Sequence, residues 1–533
     1  MKRLLALILC TVMTLTLLAS CTGKELSATV TVEQADNHQA IRVEVESEKK
    51  IKKIEVTVKH NGDIVSQTAE EENNLIIAYA YYGKHDVYVT VTAKNGSVCE
   101  YQTQVNVTND EYVIAPISGS MPQLYFTLNI KEITNDGQIP SFVWLARPDS
   151  YNWDNLPKNV YPMPTVDMSE VLTHNNYDRM VEVTSAYIKE LYSLNPDSKF
   201  NLYINDFNSY LYLKLLAANG IPEENYYVTL LSDGGASYKA FNTAFNVDEK
   251  DFDADKKYSE MADNLKTLYT QVREKGDYYY DESAFVVDTT TFNQYAYVAA
   301  KEMNNVEWWI LRPRDGVLCS PDEEFIKTVL TTDKTEGIIE ERNFATPLKE
   351  MSDGEKEMLK DLYNFNNEMF NKADVEGKKA MMILGSWATA ENEPDFEDYV
   401  NIVKAYFGDE FVYYYKGHPN TPTSNHPEKA AQLEKLGLID VESSINAELI
   451  LFFYPDIYMC GYNSSTFMSV ESEEMACAIF NMTKEDAKAN EGMAEYRDLI
   501  GVYISKIDDT SYRLELKDGT EKIYNTQTKT FAE

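Results

Sequence analysis

The hydrophobic period of this chain changes once, near Pro116, and that change restricts the fold more than any other feature. Before it, over residues 27–108, apolar and polar side chains alternate in Ala28-Thr-Val-Thr-Val, Ile41-Arg-Val-Glu-Val, Ile54-Glu-Val-Thr-Val, Val87-Tyr-Val-Thr-Val and Gln104-Val-Asn-Val. Successive residues of a strand point to opposite faces, so each run buries one face and wets the other. Asn61-Gly62 and Asn95-Gly96 supply the positive φ angles of tight hairpins between them. Short half-buried strands joined by such turns predict a small all-β sandwich of the immunoglobulin type.

Beyond Pro116 apolar strand-like runs alternate with helical ones, the pattern of an α/β region with a parallel sheet. Gln123-Leu-Tyr-Phe-Thr-Leu, Phe200-Asn-Leu-Tyr-Ile and Tyr226-Tyr-Val-Thr-Leu-Leu read as strands, with a helix over residues 177–194 ahead of Pro196. Residues 248–371 read as mostly helical and acidic, and Ser352-Asp-Gly-Glu355 is a capping box opening one of these helices. A second α/β unit opens at Ala380-Met-Met-Ile-Leu-Gly385. Its expected strands are 411–415 and 456–460, and its helices 396–405, 427–436 and 447–453. The stretch 503–530 holds a hairpin-like Lys517-Asp-Gly-Thr turn and is expected to pack elsewhere. The expected order is a leader over 1–21, the sandwich over 22–112, α/β domains over 113–375 and 376–490, and an extension over 491–533.

Lys2 and Arg3 precede an apolar run over residues 4–18, then Leu18-Ala19-Ser20-Cys21. A basic start, a short apolar stretch and small residues describe an export signal, too short for a permanent span. The tetrapeptide resembles a bacterial lipobox. That resemblance implies cleavage before Cys21, a lipid on that cysteine, and a chain outside the cytoplasm that touches the membrane through its anchor alone. At 533 residues and 44% hydrophobic, the chain has material for about three domains with real cores. The formal net charge of −37 repels nucleic acid and anionic membrane surfaces. A small anionic substrate stays compatible, because screening confines such fields to about 8 Å at physiological salt. Cys99, Cys319, Cys460 and Cys477 lack metal-ligand spacing, so neither a zinc site nor a disulfide framework is expected. Cys460 and Cys477 read as buried thiols, pairing being the other arrangement open to them.

The residues suited to chemistry lie at strand ends. Tyr413-Tyr-Tyr-Lys-Gly-His418-Pro419 ends an apolar strand in a cation, a glycine and an imidazole, where a phosphate can be received. Ile445-Asn-Ala-Glu448-Leu opens a new apolar segment, Tyr462-Asn-Ser-Ser465-Thr466 follows another strand, and Leu231-Ser-Asp233-Gly234 ends one far upstream. Taken singly each has a plain structural reading. His418 is a loop histidine fixed by Pro419, Ser464-Ser465 a helix cap, Glu448 a first-turn glutamate favoured by the helix dipole, and Asp233-Gly234 a turn. Taken together, in this order and spacing over residues 123–468, they resemble the bacterial CMP-sialic-acid-dependent sialyltransferases.

That resemblance implies a GT-B architecture of two Rossmann-like domains. It also implies an inverting transfer of sialic acid from CMP-sialic acid to a galactose-terminated glycan, with no metal or other cofactor. By the same resemblance Asp233 is the general base, and His418 bonds the phosphate of departing CMP. Lys416, Gly417, Pro419, Ser464 and Ser465 line the donor site, and Glu448 accepts two hydrogen bonds from the ribose diol. Gly234 and Trp387 border the acceptor, Trp387 being equally suited to core packing. The chain departs from the family at Ser232, where members often show a second acid, at Gly235, where serine is common, and at Asn420, where some members place an acceptor-binding arginine. Acceptor choice therefore does not carry over. Asp251-Phe-Asp253-Ala-Asp255 is expected to be a solvated acidic loop, since Lys256 and Ala262 stand where a calcium loop needs glycine and glutamate. The alternatives are a glycan- or solute-binding surface lipoprotein and a GT-B enzyme for another nucleotide-activated keto-sugar. A receptor needs neither a placed base nor a leaving-group histidine.

Overall fold

The computed structural model describes residues 19–532 apart from 24–25, 37–38, 165, 167–176, 248–250, 277–294, 312–317, 331–338, 343, 367, 387–390, 420, 470–475, 491–492 and 494–495. Trp387, the apolar run of the leader and the side chain of Cys21 lie outside the described residues. The chain divides into two compact units, residues 1–112 with 182–201 and 221–226, and residues 113–181 with 202–220 and 227–533.

The first unit contains the sandwich. Its strands are β1 (Ala19–Gly23), β2 (Leu26–Gln34), β3 (Ala40–Ser47), β4 (Ile51–His60), β5 (Asp63–Glu71), β6 (Leu75–Tyr79), β7 (Gly83–Ala93) and β8 (Val98–Val107). They form two four-stranded sheets of order β1-β2-β3-β6 and β5-β4-β7-β8, antiparallel throughout. Every second side chain points inward, and Val30, Val43, Ile54, Val56, Val87 and Val91 lose almost all exposure. Asn61 and Gly62, at φ 51° and 95°, make the turn between β4 and β5. Cys99 is disulfide-bonded, although the spacing of the cysteines led to no disulfide framework being expected.

Two further sheets follow. The first has the order β11-β10-β9-β12-β13-β14-β15, with β9 Glu111–Ile117, β10 Ser141–Leu145, β11 Val160–Pro162, β12 Lys199–Asn205, β13 Tyr226–Leu231, β14 Val306–Ile310 and β15 Ile339–Glu341. The second begins with β16 Lys379–Leu384, β17 Phe411–Lys416, β18 Ile439–Val441, β19 Tyr458–Gly461 and β20 Ala476–Phe480, all parallel, in the order β18-β17-β16-β19-β20. Met381, Ile383, Tyr413 and Tyr415 of this sheet pack into one apolar cluster, and Met382, Leu384, Val412 and Tyr414 into another. A parallel sheet buried on both faces explains why these strands read as continuous apolar runs without alternation.

Two expectations are corrected here. The run from Gln123 is not a strand but part of the helix Ser120–Leu128, in which every residue from Met121 to Leu128 is buried. A helix with no wet face has no 3.6-residue polar period to show, so its apolar run imitates a buried strand. The stretch 503–530 does not pack elsewhere. β21 (Val502–Lys506) adds to β20 in parallel, and β22 (Ser511–Leu516), β23 (Glu521–Asn525) and β24 (Thr530–Phe531) continue the same sheet antiparallel to nine strands. Asp253 accepts from the N–H of Lys256 as the cap of helix Ala254–Lys275, a structural use for that acidic loop. Cys460 and Cys477 are buried thiols that are not joined in a disulfide.

Candidate active site

In each of these two sheets one strand is flanked on both sides by strands that follow it in the chain through separate crossovers, and loops leaving such a strand splay apart to open a crevice at the carboxyl end. In the second sheet that strand is β16, flanked by β17 and β19; in the first it is β9, flanked by β10 and β12. The residues singled out above fall at these ends.

At the end of β17 the chain passes through Lys416, Gly417 and His418 into a turn closed by the N–H of Thr421 on His418 O, at 3.0 Å. The N–H of Gly385 donates to Lys416 O at 2.9 Å, and that of His418 to Ser386 O at 3.4 Å, so the loops after β16 and β17 are laced together. His418 and Pro419 are half-buried at the crevice, whereas Lys416 is only 3% exposed. Its ammonium donates to Gly417 O at 3.1 Å and Ser443 O at 2.9 Å, tying the end of β17 to the loop after β18. Burial lowers Lys416 to about 8, against the pull of Glu448. Sequence reading missed the support beneath these loops. Glu393, 4% exposed, accepts from Ser386 N–H at 2.6 Å and from the Tyr415 hydroxyl at 2.9 Å, and pairs with the buried Lys429.

Glu448 stands in the first turn of helix Ala447–Phe453 and accepts from the Thr466 hydroxyl at 3.0 Å. Burial raises its pKa, with Thr466, Lys416 and Arg147 opposing. Ser464 hydrogen-bonds Thr466 Oγ1 at 3.2 Å and accepts from Thr466 N–H at 3.3 Å. The expected helix start is a 3-10 turn, Ser465–Ser469, and Ser465 is exposed at its beginning. Glu448, Thr466 and Ser464 are thus one hydrogen-bonded chain that links the helix after β18 to the turn after β19.

On the first sheet Asp233 follows β13 and precedes Gly234, whose φ of 73° is a left-handed value that favours glycine. The Asp233 N–H donates to Ser237 Oγ at 2.9 Å, and Asn205 Nδ2, at the end of β12, lies 3.4 Å from Asp233 Oδ1. Gly119, after β9, has a φ of 92°, and a Cβ there would sit 2.7 Å from Asp233 Oδ1. Only a glycine lets the β9 loop approach the carboxylate so closely. Burial and the neighbouring Asp206 push Asp233 up to about 7, with Arg147 acting in the other direction.

Arg147 was not singled out from the sequence. It follows β10, hydrogen-bonds Ser120 Oγ at 3.1 Å, and its charge is felt by Asp233 on one side and by Lys416 and Glu448 on the other. A cation directly after an apolar strand is the same signal that marked Lys416. A Cβ on Gly234 would meet Met468 Sδ at 3.4 Å, so the carboxyl ends of the two sheets abut. The structure therefore assembles Asp233, Gly234, Lys416, Gly417, His418, Pro419, Glu448, Ser464 and Ser465 at two such ends, and adds Arg147, Gly119, Asn205 and Glu393.

No family model and no curated protein sequence matches this chain. Among solved structures it is similar to a sialyltransferase of Photobacterium damsela, at 14% identity over 83% of this chain and 90% of that one, with a TM-score of 0.52. It is also similar to a 2,6-sialyltransferase of a Photobacterium species in a ternary complex with CMP and lactose, at 13% identity over 86% and 91%, TM-score 0.52. An α/β-galactoside α-2,3-sialyltransferase of Photobacterium phosphoreum matches at 14% over 72% and 94%, TM-score 0.51. The likeness is one of fold: this chain has the two-sheet GT-B architecture of bacterial sialyltransferases.

Proposed function

We propose that this protein is an inverting, metal-independent sialyltransferase that moves sialic acid from CMP-sialic acid to a galactose-terminated glycan. The observation that carries this reading is the convergence, at abutting sheet ends, of a carboxylate held near neutral pKa on one side and a Lys-Gly-His-Pro loop with Glu448 and Ser464 on the other. The acceptor hydroxyl attacks C2 of the sugar, its proton passes to Asp233, and the bond from C2 to the phosphate oxygen breaks to release CMP. A carboxylate near 7 is a stronger base than an ordinary one and still largely ionised slightly above neutrality, so the rate rises with pH through about 7. His418, the Ser464 and Ser465 hydroxyls and nearby backbone N–H groups meet the charge developing on the phosphate. Glu448 takes the ribose diol, and Arg147, between base and donor groups, suits the anionic sugar.

Saturating CMP is expected to raise the melting temperature by several degrees, since ligand at about 100 times its dissociation constant adds about 2.7 kcal/mol. Transfer from CMP-sialic acid to lactose is expected to persist in EDTA, because a single phosphate charge can be met by these groups alone. No response to CMP, with stabilisation by a galactoside alone, would replace the enzyme by a glycan-binding protein. Strict dependence on manganese or magnesium would overturn the metal-independent mechanism.

From the resemblance of Leu18-Ala19-Ser20-Cys21 to a lipobox we further propose that the enzyme lies outside the cytoplasm, anchored at Cys21. One acyl chain holds a protein weakly and two or more hold it firmly, so processing at Cys21 should yield a stable membrane form. Cys21→Ser is expected to accumulate unprocessed precursor. A mature N-terminus elsewhere, or Cys21 recovered as a disulfide instead of a thioether, refutes the anchor.

A further inference from the structure

We propose that Asp206 is a positioning residue for Asp233: a second carboxylate, delivered from the end of β12 and linked through the Ser237 hydroxyl, whose charge sets the proton affinity of the base. The inference rests on the reading of Asp233 as general base.

Asp206, Ser237 and Trp308 are all at or below 1% exposed. The indole N–H of Trp308, on β14, donates to Asp206 Oδ2 at 3.1 Å. Ser237, on helix Gly235–Phe245, accepts the N–H of Asp233 at 2.9 Å, which leaves its own hydrogen to face Asp206. That hydroxyl, the Trp308 indole and the N–H groups of Asp233 and Phe207 all favour the charged form of Asp206. Among the described residues Asp206 Oδ1 has no partner in hydrogen-bonding geometry. Ser232, the residue before the base, is buried and uncharged, its hydroxyl accepting from Gly234 N–H at 3.1 Å. The negative charge beside Asp233 thus comes from the neighbouring strand.

The groups around the pair define what it can do. Arg147, from the end of β10, is the opposing charge on Asp233. Asn205 and the Gly119 loop add no charge, and Met468 faces Gly234 with an apolar tip. Burial pushes Asp206 up to about 7, and burial together with the charge of Asp206 brings Asp233 to about 7. Two like groups so placed lose their protons in two steps belonging to the pair. Asp206 ionises first, held by its donors. Its charge then makes Asp233 the better proton acceptor when the acceptor hydroxyl arrives.

The test uses the full chain without donor or acceptor. In pH-difference infrared spectra, with Asp233→Asn and Asp206→Asn to assign the protonated-carboxyl bands, the unmodified protein is expected to titrate in two separated steps. In Asp206→Asn the Asp233 band is expected to titrate lower by about one pH unit. The acid limb of kcat/KM should move down by the same amount while CMP affinity is unchanged, a split that loss of packing alone would not produce. Ser237→Ala should raise the pH of the lower step, since it removes a donor to charged Asp206. An Asp233 band titrating at the same pH with and without Asp206, or a single step in the unmodified protein, overturns the pair. Because the spectra need no sugar substrate, absence of sialyl transfer with the two-step titration intact would overturn the enzymatic reading and leave the coupling standing.

Discussion

Asp233→Asn is expected to lower sialyl transfer by about 10²–10⁴-fold while leaving CMP affinity near its native value. Asparagine preserves the shape against Gly119, and its amide keeps an oxygen toward Asn205, so the crevice stays formed. What it cannot do is take the acceptor proton, which in the proposed mechanism passes to Asp233 only in the transition state. The loss therefore falls on kcat and kcat/KM alike. His418→Ala is the complementary variant. On the proposed role it removes a group that meets the phosphate in both bound donor and transition state, and is expected to weaken CMP binding as well as turnover. Measuring CMP affinity beside transfer in both proteins separates the two roles. Near-native transfer by Asp233→Asn would take the base assignment away.

Removing the Glu393 carboxylate is expected to cost about 3–5 kcal/mol of stability, because Lys429, 5% exposed, would be left as an uncompensated buried charge. Burial already lowers the Lys429 pKa, with Glu393 opposing that shift. The same carboxylate holds Ser386 N–H and the Tyr415 hydroxyl, and Ser386 O receives the N–H of His418. Glu393→Ala is thus expected to lower the melting temperature by roughly 10 °C and to weaken CMP binding together with stability. Replacing both partners, as Glu393→Gln with Lys429→Met, should recover much of the stability, since neither charge remains buried alone. A drop below about 1 kcal/mol in Glu393→Ala would mean that the pair is hydrated and does not brace the His418 loop.

Several elements were legible in the chain because their signals are local. The helices Pro427–Leu436 and Ala447–Phe453 fall on the expected residues, and Ser352 and Glu355 form the expected capping box. Proline at a helix start, glycine after its end and a serine three residues before a glutamate act within one turn, so no distant partner is needed to read them. The Gln123 run was misread because its cause is not local. Its residues are apolar all round since the helix is covered on every side, a fact about neighbours far along the chain.

The candidate site divides along the same line. Asp233, Lys416, His418, Glu448 and Ser464 could be named from the sequence because each belongs to a short local motif, and the motifs in that order resemble those of a known family. Arg147, Asp206 and Glu393 stood beyond that reading. Residue separations of 86 between Arg147 and Asp233, and of 27 between Asp206 and Asp233, carry no contact information along the chain. The sequence by itself determined a β-sandwich followed by α/β units, through hydrophobic periods that follow from side-chain direction in strands and helices. Only the tertiary structure decided which carboxyls share a desolvated crevice, and so which of them titrates near neutrality, because both the loss of water and the nearness of a like charge are created by packing the ends of different strands against one another.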